Sequence, residues 1–193
     1  MERPSRPASS SPIPAGIRSD EAFRIALIGM PGSGKSTIGK AASARLGLAY
    51  VDVDQEIEQR SGSSVRSFFE RHGEPAFRDL ETEVLRDLLA GRPCLIATGG
   101  GAVLREENRH VLRSRALCVY LEASSRLLWS RLRRDRRRPL LQFEDAEQRL
   151  RAMTAERAPL YRQTAPIVIE TDGFSFNGVV DELVARVTAK SDQ

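Results

Sequence analysis

One run of residues restricts this chain more than any other: Gly29-Met30-Pro31-Gly32-Ser33-Gly34-Lys35-Ser36-Thr37. It spells G-x-x-x-x-G-K-S, and the flanking segments give that spacing its meaning. Before it, Phe23 to Ile28 is mostly apolar, of strand length, with β-branched and aromatic members. After it, Ile38, Ala41, Ala42 and Leu46 recur at helical spacing up to Gly47, which fits a helix stop. Strand, glycine loop, helix is the order in which backbone N–H groups converge on phosphate oxygens while a helix N-terminus adds partial positive charge. Lys35 then reaches the β and γ phosphates as a point charge, and the Ser36 hydroxyl suits Mg²⁺. The bland alternative, a chance glycine turn before an ordinary helix, explains neither the spacing nor the context. The expected ligand is a nucleoside triphosphate.

Composition narrows the remaining classes. At 193 residues the chain suits one domain with a sizeable core. A formal charge of +4 and a pI near 9.5 suit anionic ligands in general and do not single out nucleic acid. Cys94 and Cys118 lie in apolar, strand-like runs and read as reduced core thiols; no C-x-x-C spacing exists for zinc. No stretch approaches the roughly 18 apolar residues of a membrane span, and the N-terminus has no apolar signal region. A cytoplasmic protein that binds neither membrane nor nucleic acid is expected. Residues 1–20, rich in Pro, Ser and Arg, read as a disordered N-terminal arm. A transit segment is the alternative there, though no amphipathic pattern supports it.

From Phe23 onward strands alternate with helices. Strands are expected over residues 23–28, 48–53, 94–97, 116–121 and 167–170. Helices are expected over 55–60, 64–72, 74–89, 106–114, 125–134 and 177–188, with another closing at Arg157-Ala158-Pro159-Leu160-Tyr161. Short, nearly continuous apolar strands between helices imply a parallel sheet covered on both faces. Ligands on such sheets sit at the carboxyl ends of the strands, where the glycine loop, Asp52, Asp54 and Gly99-Gly100-Gly101 all fall.

Several residues there carry candidate chemistry. Asp52 suits Mg²⁺ through its waters, and Asp54 suits acceptance of a proton from a substrate hydroxyl. Both also fit ordinary strand-end or helix-capping aspartates. The triple glycine fits close approach of a substrate to the backbone, or a plain tight turn. Arg78 suits bidentate binding of a carboxylate, with Glu81 at i+3 holding it. The competing reading is a solvated surface pair. Arg126 to Arg138 holds seven arginines against the single Asp135. That run fits a nucleic-acid patch, a solvated helix face, or a lid whose arginine closes on the γ phosphate. Trp129 is the single aromatic residue in the run, fewer than a row of stacked bases would call for. Arg157 is placed to point back into the same site, while His72 and His110 lack partners at metal spacing.

Together these stretches resemble shikimate kinase, a family that transfers the ATP γ-phosphoryl group to the 3-hydroxyl of shikimate in aromatic amino acid biosynthesis. The resemblance rests on GMPGSGKSTIG (Gly29 to Gly39), Asp52-Val53-Asp54, GEPAFR (Gly73 to Arg78), TGGGAV (Thr98 to Val103), RPLL (Arg138 to Leu141) and RAPLY (Arg157 to Tyr161). It implies an α/β, three-layer P-loop fold of the nucleoside monophosphate kinase type. Its five-stranded parallel sheet would lie in a domain spanning 21–193, with a mobile lid at about 133–147. By the same resemblance Gly32, Ser33, Gly34, Lys35, Ser36 and Thr37 hold ATP, Ser36 and Asp52 hold one Mg²⁺, and Arg131 lies against adenine. Asp54, Arg78, Gly99, Gly100, Gly101 and Arg157 take shikimate, with Asp54 on the reacting hydroxyl and the arginines on the carboxylate. Lys35, Asp54 and the lid residue Arg138 are the catalytic set. Phe174 stands after the fifth strand, where family members often place a polar or basic residue near the base. The implied enzyme is a monomer acting on ATP and shikimate. Gluconate kinase is the nearest rival. A nucleotide-dependent switch would need an N/T-K-x-D motif, and none follows a strand.

Overall fold

The computed structural model describes residues 23–133 and 145–191. Strands β1 (Ile25–Ile28), β2 (Ala49–Asp52), β3 (Cys94–Ala97), β4 (Leu117–Glu122) and β5 (Ile167–Glu170) form one sheet in the order β2-β3-β1-β4-β5. Every pairing is parallel, with Ile25 opposite both Leu95 and Leu117. Parallel neighbours need crossovers, and these contain the helices α1 (Lys35–Leu46), α2 (Val53–Ser61), α3 (Val65–Ala90), α4 (Glu106–Arg115), α5 (Ser125–Leu132) and α6 (Ala146–Thr164); α7 (Phe176–Ser191) follows β5. A 3₁₀ turn, Ala102–Leu104, follows β3. The expected three-layer α/β architecture is present.

β1 and β3 are buried at every position because helices cover both faces of the sheet. Alternate residues of β1 feed two separate cores. Ala26 and Ile28 pack with Val53, Ile57, Phe77, Leu128 and Tyr161 on one face. Ile25 and Leu27 pack with Ile38, Ala42, Leu46 and Leu183 on the other, under α1 and α7. Both cysteines are buried thiols. Among the described residues no helix is long and apolar enough to cross a membrane.

Several boundaries differ from expectation, two of them at the site. α2 begins at Val53, so Asp54 lies in the first turn of a helix rather than at a strand end. The reason is capping: the Asp52 carboxylate accepts the Asp54 backbone N–H at 3.1 Å and turns the chain at once. α6 does not close at Tyr161 but runs to Thr164, with Pro159 inside it. Proline costs a helix one N–H donor while its fixed φ remains helical. α3 crosses Gly73, whose φ of 78° breaks the helical path between the two expected segments. The arm 1–20, Arg138, RPLL and most of the 133–147 segment lie outside the described residues.

Candidate active site

The switch in connection direction beside β1 opens a crevice at the carboxyl ends of β1 and β3, and the glycine loop fills its centre. Gly34 caps α1 with φ 104°, a left-handed conformation that demands glycine. The first turn of α1 carries no acidic residue to oppose an anion. Lys35 is only 8% exposed. Its ammonium donates to the carbonyls of Gly29 at 2.8 Å and Met30 at 2.9 Å, which offset the desolvation of the buried charge. The positive charge is therefore already inside the loop.

Beside it, Asp52 is held by three donors. Ser36 Oγ at 2.8 Å and Tyr50 Oη at 3.0 Å share its Oδ2, while the Asp54 N–H takes Oδ1. Burial foremost, and then the charge of Asp52, push the Tyr50 hydroxyl above its ordinary range, so it stays a proton donor. Sequence reasoning misses Tyr50. The available signal is its position two residues before Asp52, on the same face of β2.

Just after β3, which lies between β2 and β1, Thr98 donates its N–H and its hydroxyl to the Leu27 carbonyl, tying the start of the glycine turn to β1. None of Gly99, Gly100 and Gly101 has a positive φ, so space explains them. A β-carbon on Gly99 would lie 2.5 Å from Glu81 Oε1, and one on Gly100 would lie 2.6 Å from Pro31 Cδ. On Gly101 it would run into the Arg78 guanidinium. Protein groups thus press on all three, and Pro31 links the turn to the phosphate loop.

Arg78 is no solvated surface residue. Its Nη1 donates to Glu81 Oε2 at 2.7 Å, and Nε and Nη2 share Glu74 Oε1. The Arg78 side chain is 14% exposed and that of Glu81 is fully buried. Burial, opposed by Arg78, raises the Glu81 carboxyl above its usual range. Removing one member of such a pair strands the other. Glu81→Ala is therefore expected to destabilise the fold by about 3–5 kcal/mol in urea titration. It should also weaken acceptor binding, because Arg78 keeps only the exposed Glu74 as its anchor. A loss under about 1 kcal/mol would return the pair to the surface class.

Arg157, on α6, donates Nη1 to the Gly100 carbonyl at 3.3 Å. Arg78 and Arg157 thus meet adjacent residues of one turn, the arrangement expected of a pair that binds one group. Tyr161, also on α6, donates to the same Gly100 carbonyl at 2.5 Å. It stands within the RAPLY motif, but its sequence context gives its hydroxyl no role. Arg131 donates Nη1 to Gly32 O at 3.0 Å and Ser33 O at 3.3 Å, which places it against the loop backbone. A cleft of about 460 Å³ runs from Asp54 and Gly100, across Lys35 and Ser36, to Phe174 and Phe176. These two phenylalanines are the large apolar side chains left exposed among the described residues, Phe174 at 59%.

The chain is similar to known proteins over most of its length. A family model described as shikimate kinase matches residues 31–188. A shikimate kinase from Paracidovorax citrulli is 51% identical over 150 residues, spanning 77% of this chain and 82% of its own. One from Burkholderia lata is 45% identical over 168 residues, spanning 87% and 91%. Among solved structures, shikimate kinase from Acinetobacter baumannii in complex with shikimate aligns with a TM-score of 0.84 at 37% identity. It covers 89% of this chain and 96% of that one. With a phosphate loop, a glycine turn flanked by two arginines and this degree of similarity, the chain belongs to the shikimate kinase family.

Proposed function

We propose that the chain transfers the γ-phosphoryl group of ATP to the 3-hydroxyl of shikimate, with the triphosphate on the 29–37 loop and the acceptor over Gly99–Gly101. The observation that carries this reading is the meeting of Arg78 and Arg157 at one glycine turn, whose Gly100 lines the same cleft as Lys35. Two guanidiniums there suit one carboxylate, gripped away from the reacting hydroxyl. Asp54 lines the same cleft and accepts the hydroxyl proton as the oxygen attacks the γ phosphorus. The bond from that phosphorus to the β-phosphate oxygen breaks, and ADP leaves. Lys35 neutralises charge on the phosphate oxygens as they separate.

Ser36 and Asp52 fit Mg²⁺: both offer hard oxygen donors and they stand 2.8 Å apart. Mg²⁺ dehydrates reluctantly and would take its other ligands from phosphate and water. When bound, the ion supplies charge neutralisation at the phosphates. Gly32 to Thr37 hold the triphosphate, Arg131 borders the adenine end and Phe174 walls it. Arg138, within a lid at about 133–147, closes on the γ phosphate. The kinase domain spans 21–193, with 1–20 as a separate arm, and the enzyme acts as a cytoplasmic monomer.

Coupled ADP release with shikimate, with gluconate and with no acceptor tests the reading. Rapid release is expected with shikimate alone. Equal release with gluconate, or release independent of acceptor, would contradict it.

A further inference from the structure

The Gly100 carbonyl is shared by two donors on the same face of α6. Arg157 Nη1 reaches it at a long 3.3 Å, and the Tyr161 hydroxyl reaches it at 2.5 Å. Beyond Gly100, Arg157 interacts with the Tyr161 hydroxyl itself, and its Nε is buried without a hydrogen-bond partner among the described residues. A guanidinium carries five N–H donors, so these contacts still leave capacity for an incoming anion. To present its planar fork to a carboxylate, Arg157 must release Gly100 O. A part-buried carbonyl stripped of its donor would then resist the change.

Tyr161 removes that obstacle. It is fully buried, its ring stacks on Tyr120 at 4.9 Å, and its hydroxyl also lies 3.8 Å from Met30 Sδ of the phosphate loop. Fixed on both sides, it holds the carbonyl whatever Arg157 does. Burial keeps the hydroxyl protonated and therefore a donor.

We propose that Tyr161 is a positioning residue for the acceptor: its hydroxyl retains the Gly100 carbonyl while Arg157 releases it to grip the acceptor's carboxylate. The proposal rests on the reading of Arg157 as a carboxylate ligand. Without the Tyr161 hydroxyl, Arg157 becomes the donor that Gly100 O depends on, and substrate must compete for it.

The test is a double-mutant cycle of Tyr161→Phe and Arg157→Lys, with KM and kcat measured for shikimate and ATP, shikimate binding by calorimetry, and Tm. Tyr161→Phe should raise the shikimate KM and Kd on the order of tenfold. The ATP KM and kcat should move less than about twofold by comparison, on the same bond-energy scale. In the Arg157→Lys background the same substitution should add little, because the competition it creates is gone. An unchanged shikimate KM in Tyr161→Phe, beside a raised one in Arg157→Lys, overturns the proposal and leaves the carboxylate reading standing. An unchanged KM in Arg157→Lys overturns both. A fall in Tm and kcat with no change in shikimate affinity, or an equal effect in both backgrounds, shows a merely structural tyrosine and overturns the proposal. If Tyr161→Phe does not fold, 3-fluorotyrosine at 161 keeps the hydroxyl as a donor. The shikimate KM should then stay at the native value, and a rise overturns the proposal.

Discussion

Lys35→Met is expected to leave the fold intact and to bring turnover close to zero. Methionine matches the length and flexibility of the lysine stem, so the packing of α1 on β1 should survive. What disappears is the charge now lodged between the carbonyls of Gly29 and Met30. Phosphoryl transfer concentrates negative charge on the phosphate oxygens, and a fixed cation there acts mainly on the transition state. Loss of one such preorganised group costs roughly 10²–10³-fold in kcat. Circular dichroism should be unchanged while kcat falls by at least that factor. A folded variant with near-normal kcat would show that the loop does not carry the reaction.

Asp54→Asn is expected to lower kcat by roughly 10²–10⁴-fold, the range for loss of a general base, with ATP binding almost unchanged. The amide still hydrogen-bonds a hydroxyl but cannot take its proton. The substitution is structurally mild, because the cap of α2 uses the Asp54 backbone N–H and the Asp52 side chain. Steady-state kinetics with nucleotide binding by calorimetry separates the outcomes. If only the KM for ATP rises, Asp54 belongs to the nucleotide or the metal and not to the hydroxyl.

What is legible in the chain alone is whatever local pattern determines. β1, the glycine loop and α1 are contiguous, and each carries its own signal of apolar run, glycine spacing or helical period. β3 falls where its apolar run places it, since a strand buried on both faces is apolar throughout, and edge strand β5 is marked by buried Ile167 and Ile169. The start of α2 departs from expectation because β-branched Val53 between two aspartates reads as strand until the Asp52 cap is seen. α6 outlasts Pro159 because its last turns are pinned by tertiary contacts: Tyr161 is buried beneath Gly100, a hydrogen bond that spans 61 positions in the chain. The hydroxyl roles of Tyr50 and Tyr161 are illegible for that kind of reason, since an aromatic residue in an apolar stripe carries no sign of its partner. The triple glycine is legible as a need for space. That Glu81, Pro31 and Arg78 press on it emerges only from the fold. Arg78 itself is ambiguous in sequence, and the complete burial of Glu81 decides against a solvated pair.

If Arg78 and Arg157 grip the acceptor by its carboxylate, the enzyme must tell an acid from its neutral isostere. The most direct test compares kcat/KM of the native enzyme for shikimate and for its carboxamide, which keeps the ring and the reacting hydroxyl but removes the charge. A charged hydrogen bond contributes about 1.5–3 kcal/mol, so the acid should be preferred by at least about tenfold for each such bond that the amide cannot make. Arg78→Ala should narrow that preference. Native enzyme that phosphorylates the amide as well as the acid would contradict the carboxylate grip.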